Sequence, residues 1–196
     1  MAHMASYPST GTIALYNPSK EFMSQAIIFD VEATDKNDAV IIEAASLDVT
    51  SLNPFEVGNP WVQRYNPGKP ISLGALATHH IMDEELVNCP ASSSFRLPAG
   101  TKYLIGHNID FDWVAIGKPE VKRICTLALA RSLWPELDSH TQSALLYYFE
   151  RDTARDQLRN AHSALADVWI CSKIVGQIID KLHPVSLDAL WEMSEK

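Results

Sequence analysis

The chain has 196 residues, of which 46% are hydrophobic and 20% charged, and its 24 acidic against 16 basic side chains leave a net charge of −8. That is enough apolar material for the core of one domain, and with 8 Gly, 11 Pro and no low-complexity tract the composition lies outside the disordered and fibrous classes. The absence of any apolar run of about 18 residues excludes a membrane-spanning helix and leaves no membrane partner to expect, and the acidic balance argues against broad electrostatic binding of a polyanion.

Residues 1–24 lack the basic start, apolar middle and small-residue cleavage site of a secretory signal. Opening Met1-Ala2-His3-Met4 and offering Met23 as a second start, they read as an expression scar or flexible arm, ahead of a single domain over 25–196. Residues 25–31, rich in Ile, Phe and Val and followed by Thr34-Asp35-Lys36-Asn37-Asp38, read as a strand, and 40–49 as its hairpin partner. Residues 61–65 read as a third strand between the turn signals Asn59-Pro60 and Asn66-Pro67-Gly68. Short helices are expected over 72–78, capped by Ser72, and over 83–88, capped by Asp83. A Pro- and Ser-rich loop leads to a buried strand at 102–105, which ends at Gly106-His107-Asn108 and is followed by a helix over 110–116. The last third is helical by periodicity, over 127–133, 141–150 and 161–182, the last with Leu165, Val168, Val175, Ile178, Ile179 and Leu182 inward. His183-Pro184 stops that helix, and Ser186 caps a final one reaching 193. This order of elements makes an α/β domain with a mixed sheet. Cys89, Cys125 and Cys171 are widely spaced and odd in number, which fits neither a disulfide framework nor a zinc site and points to the reducing cytoplasm.

Asp30 and Glu32, two apart at the end of an apolar strand, project from one face with Ile28 behind them. Such a pair is costly unless a cation is shared or a proton held; oxygen-only ligation suits Mg²⁺ or Mn²⁺ rather than zinc. A solvated pair at a strand end is the plain alternative. Asp110 and Asp112 follow another buried strand, where sites gather in open α/β sheets; Asp110 suits a helix cap, and Asp112 is the better placed to point back. His162 and Asp167 lie about 140° apart on a continuous helix, so they converge only if His162 sits on the entering loop or first turn.

Asp30-x-Glu32, His107-Asn108-x-x-Phe111-Asp112, and His162 with Asp167 five residues later together resemble, in order and approximate spacing, the three exonuclease motifs of the DnaQ-like DEDDh family of 3′→5′ exonucleases. Ile41-Ile42-Glu43-Ala44-Ala45 resembles that family's second strand and His79-x-Ile81 its His-Gly-Ile segment, with His80 where Gly is usual. Asp35 likewise stands where Gly is common. The stretch from Cys125 to Pro135 is similar to one in bacterial exodeoxyribonuclease X. The resemblance implies a ribonuclease H-like fold, a mixed five-stranded sheet flanked by helices, and hydrolysis of DNA from its 3′ end with two divalent cations, Mg²⁺ or Mn²⁺. By that analogy Asp30, Glu32, Asp112 and Asp167 serve the metals, His162 is the general base, and Ala33, Thr34, His79, Ile81 and Asn108 receive the 3′-terminal nucleotide. Lys102, Lys118, Lys122, Arg123 and Arg131 are candidates for holding the upstream strand. An exoribonuclease of the ribonuclease T or oligoribonuclease kind is the first alternative, and a non-catalytic metal-binding interaction module the second. No Gly-x-Ser-x-Gly elbow supports nucleophilic hydrolase chemistry.

Overall fold

A computed structural model of the chain describes residues 25–195; the arm expected over 1–24 lies outside them. The first strand, β1 (Ala26–Ala33), is central to a five-stranded sheet of order β3-β2-β1-β4-β5. It pairs antiparallel with β2 (Ile41–Leu52), which pairs antiparallel with β3 (Phe55–Arg64), and parallel with β4 (Tyr103–Gly106), itself parallel to β5 (Lys122–Cys125). The expected mixed sheet is present, and its elements are those of a ribonuclease H-like fold.

Side-chain alternation along β1 divides the core. Ala26 and Ile28 face a layer containing α4 (Thr126–Leu133), α5 (Gln142–Phe149), α7 (Ala164–Leu182) and α8 (Leu187–Ser194), where Val168, Ile174, Val175 and Ile178 are buried. Ile27, Phe29 and Val31 face the other side, against Tyr65, Phe95 and Ile109 at the start of α3 (Asp110–Ala115). Asp30 and Glu32 thus continue the Ile28 face, toward α7. Phe95 gathers the rings of Phe29, Trp61 and Tyr65 around it at centroid distances of 5.8–6.4 Å. A Cβ on Gly106 would lie 2.9 Å from the Phe29 carbonyl oxygen and 2.6 Å from Ile109 Cδ1, so only Gly lets the end of β4 approach both β1 and α3 so closely.

Several boundaries differ from the sequence expectation. β3 begins at Phe55 and runs through Asn59-Pro60, because an edge strand tolerates a residue without an N–H donor. β5 and α6 (Arg151–Gln157) are additional elements: the first buries fully only Ile124 and the second only Ala154, too little for a readable period. α1 (Leu73–His79) is capped by Ser72 and α8 by Ser186 as expected. Asp83, however, is not the cap of α2 (Asp83–Leu86); Met82 holds that position, and the Asp83 carboxylate accepts from the Ile71 N–H at 3.1 Å. α7 starts three residues later than expected, capped by Ser163, whose side chain accepts from the Ala166 N–H. Among the described residues no helix is long and apolar enough to cross a membrane, and Cys89, Cys125 and Cys171 are all free thiols.

Candidate active site

At its C-terminal end β1 loses its parallel partner, since pairing with β4 stops at Ile28. The N–H of Val31 needs another acceptor, and Asp112 Oδ1 supplies it at 2.9 Å. This bond turns the first turn of α3 back onto β1 and buries Asp112, which is only 4% exposed. Asp110, expected as a cap, instead faces outward and pairs with Arg123, while Ile109 holds the cap position.

The third contribution arrives from α7. His162 stands outside the helix with φ of 70°, and its N–H donates to Asp167 Oδ1 at 3.4 Å; the left-handed turn at His162 is what lets two residues on divergent directions meet. The imidazole is exposed. Asp30, Glu32 and Asp167 each offer an oxygen within 4.8 Å of the other two. Asp112 joins them electrostatically rather than as a member of that close set.

Carboxylates so close, and partly dry, resist ionisation. Burial first, then the charges of Asp112, Asp167, Glu32 and Glu43, hold Asp30 well above the usual carboxylate range. Burial and the charges of Asp167, Glu43 and Asp112 hold Glu32 up to about 9. Burial raises Asp112 to about 7 against the opposing pull of the Val31 N–H. Asp167 is raised by burial, with His162 pulling it back down. An all-carboxylate set of this kind fits a hard divalent cation, whose charge would relieve the repulsion.

The residues expected to receive a nucleotide fall into two groups. Ala33, Thr34, His79 and Ile81 are all buried. Thr34 closes the loop after β1, its hydroxyl accepting from the Val40 N–H at 3.2 Å and its carbonyl from the Ser72 N–H at 2.9 Å. His79 Nδ1 accepts from the Ile81 N–H at 3.0 Å; its Nε2 is turned to the Ala33 backbone without a hydrogen bond of good geometry. Burial lowers the His79 pKa. Asn108, by contrast, is exposed and left-handed, with φ of 69°. His80 adopts φ of 60° at the end of α1, the conformation Gly takes freely, so the backbone there is the one the usual Gly would give. Asp35 also makes a turn without Gly, its carboxylate accepting from the Asn37 N–H at 2.8 Å.

Sequence reasoning assigned His107 no separate role, yet it ties the site's support together. Its Nε2 donates to the His140 carbonyl at 2.8 Å, which leaves Nδ1 to accept from the Thr126 hydroxyl at 2.9 Å. Burial pushes its pKa down to about 4. A folded-state value below the unfolded one gives stability that is present above about 6.5 and is lost as pH falls through about 4. The loss amounts to about 3 kcal/mol. Urea unfolding between pH 7 and pH 4 should therefore show a smaller decline in His107→Gln than in the parent chain, and equal slopes would contradict this role. Of the candidate strand-holding cations, Lys122 pairs with Asp188 at 2.5 Å and lies 4.2 Å from the Trp191 ring centroid. Arg123 stacks 4.1 Å from the Trp113 centroid. Both tie surface elements of the fold together.

The sheet order is that of a ribonuclease H-like fold, and the carboxylate cluster stands at the end of its central strand, where the resemblance to DnaQ-like exonucleases implies one. Sequence comparison agrees: exodeoxyribonuclease 10 of Escherichia coli is 28% identical over 142 residues, 71% of this chain and 62% of that protein. The epsilon subunit of DNA polymerase III of Buchnera aphidicola is 27% identical over 173 residues, 76% of this chain and 70% of that one. The chain thus spans somewhat under two thirds of exodeoxyribonuclease 10. Among solved structures, exonuclease X in complex with 5′ overhanging duplex DNA superposes with a TM-score of 0.69 at 24% identity, over 86% of this chain and 99% of that one. Escherichia coli exonuclease I in complex with a dT13 oligonucleotide gives 0.61 at 19%, over 79% and 40%. No model of a known protein family matches the chain. By sequence the chain is thus similar to exodeoxyribonuclease 10 and to the epsilon subunit of DNA polymerase III, and by fold to exonuclease X and exonuclease I.

Proposed function

We propose that this chain is a 3′→5′ exonuclease that removes nucleoside 5′-monophosphates from DNA, acting on single-stranded or frayed ends. The observation that carries the reading is the convergence of Asp30, Glu32 and Asp167 within 4.8 Å, with Asp112 buried beside them and all four pushed toward protonation. Structural work alone gives no reason to gather four acids that repel one another. Asp30, Glu32 and Asp167, supported by Asp112, would hold two divalent cations, Mg²⁺ or Mn²⁺. When bound, such a pair stabilises the attacking and leaving oxygens of an in-line displacement at phosphorus. His162, exposed and anchored through its backbone to Asp167, takes the proton of the attacking water. Ala33, Thr34, His79 and Ile81 shape the floor beneath the terminal nucleotide, and Asn108 faces it from the rim. Cations in the site would offset the chain's acidity toward a polyanion.

DNA is favoured because the relatives and neighbours described above are named for DNA or shown with it. RNA is the second reading, supported by a TM-score of 0.58 to a 3′-exonuclease that recognises the 3′ end of a histone mRNA stem-loop, over 80% of this chain and 82% of that one at 14% identity. The free thiols suit a cytoplasmic setting. Digestion of matched 5′-labelled DNA and RNA oligonucleotides with Mg²⁺, Mn²⁺ or EDTA, alongside Asp167→Ala, tests the reading. The expected result is a cation-dependent ladder shortening from the 3′ end, stronger on DNA and absent in the variant. A folded chain that binds Mn²⁺ but cuts neither strand would overturn it in favour of an interaction module.

A further inference from the structure

Glu43 lies on β2 directly opposite Glu32, so it shares the face that carries the acidic cluster. It is 5% exposed, stands outside the close set of Asp30, Glu32 and Asp167, and has both of its oxygens engaged. Oε1 accepts from the N–H of Ala164, the first residue of α7, at 3.1 Å. Oε2 accepts from Arg64 Nε at 2.9 Å, and Arg64 is Glu43's own cross-strand partner on β3. Arg64 Nη1 continues to Glu85 Oε1 at 2.8 Å, and Glu85 Oε2 accepts from the Met82 N–H at 2.8 Å, closing the start of α2. One chain of charge-assisted bonds therefore runs from the first turn of α7 to the segment that follows His79-His80-Ile81. The strand is bulged beside it: Glu32 pairs with Glu43 but Ala33 with Ile41, which leaves Ile42 as the extra residue. A bulge of this kind re-aims the neighbouring side chain.

We propose that Glu43, held by Arg64, is a positioning residue that fixes the N-terminus of α7 against the sheet and so sets where His162 and Asp167 meet Asp30 and Glu32. Ala164 lies two positions after His162 and three before Asp167, so a free α7 N-terminus moves both. A buried carboxylate given two fixed donors is well suited to this, because each bond to the charged group is strong and directional. The proposal rests on the hydrolytic reading of the cluster, and its test has an arm that does not.

The test compares the parent chain with Glu43→Gln, which keeps the shape but removes the charge that Arg64 meets, and with Arg64→Met, which leaves Glu43 in place and alters a side chain that is 39% exposed. Hydrogen exchange is followed by mass spectrometry without added metal, and kcat and KM are measured on a single-stranded DNA oligonucleotide with Mn²⁺. The expected result is exchange about tenfold faster confined to residues 161–167, with kcat lowered about tenfold to a hundredfold and KM little changed; the two variants should agree. Faster exchange spread through the whole core, with kcat unchanged per folded molecule, would assign Glu43 to stability alone and overturn the proposal. Unchanged exchange over 161–167 would also overturn it. Should the parent chain lack nuclease activity, the exchange arm still decides whether Glu43 anchors α7, and the failure then belongs to the hydrolytic reading.

Discussion

Glu32→Gln is expected to lower nuclease activity about a thousandfold and at the same time stabilise the metal-free protein. The two effects have one cause. Glu32 is held up to about 9 by burial and by the charges of Asp167, Glu43 and Asp112. A folded-state value above the unfolded one contributes stability that is complete below about 4.5 and is lost as pH rises through about 9. At pH 7.5 the folded chain keeps a proton that the unfolded chain releases, a penalty of up to about 4 kcal/mol. Gln has no proton to take up, so urea unfolding in EDTA should find the variant more stable by about 2–4 kcal/mol at pH 7.5 and level with the parent near pH 5. Activity should fall about a thousandfold, the equivalent of about 4 kcal/mol of transition-state stabilisation. Parallel stability profiles for the two chains between pH 5 and pH 9 would show that the cluster is not strained.

Cation binding should be steeply dependent on pH. Glu32 at about 9 and Asp112 at about 7 carry protons over much of the neutral range, and a carboxylate must lose its proton to serve a cation. A proton held across the whole interval makes the apparent affinity about tenfold stronger per pH unit, and one with its midpoint inside the interval contributes about half that exponent; Glu32 and Asp112 together should make Mn²⁺ bind about a thousandfold more tightly at pH 8 than at pH 6. Titration calorimetry in two buffers of different ionisation enthalpy would count the protons released. The same binding should raise the unfolding free energy by about 2.7 kcal/mol at a hundredfold excess over Kd. An affinity that stays flat across this range would mean that the cation enters without meeting these carboxylates.

The parts of the fold and site that were legible in the sequence are those fixed by local rules. The alternation of β1 put Asp30 and Glu32 on the Ile28 face, where they lie. Helical geometry put His162 on the entering loop or the first turn if it was to meet Asp167, and the loop is where it lies, just before the cap at Ser163, although the helix itself was expected from 161. Asp112 was expected to point inward, and the unsatisfied Val31 N–H gives it a reason. What was not legible depends on distant pairing. β5 carries Lys122 and Arg123 at the edge of the sheet, where charge discourages strand addition but hides the strand from any hydrophobic pattern. Glu43 stood out only as an acid in an apolar run, since its partner Ala164 lies 121 positions away. The resemblance to a family supplied the order of the motifs; the bonds that hold them together came from the three-dimensional arrangement.

That separation bears on how the protein is made. Synthesis delivers β1, with Asp30 and Glu32, long before α7 and Asp167 leave the ribosome, and a central strand whose partners are β2 and the later β4 gains its full surroundings only through long-range closure. The crowding of like charges is therefore completed only at the docking of α7, when Asp167 joins the acids already gathered on the sheet and α3. An unfinished chain that has yet to deliver α7 holds only part of the acidic set, so on the reading proposed above it remains harmless to DNA until Asp167 has joined Asp30 and Glu32.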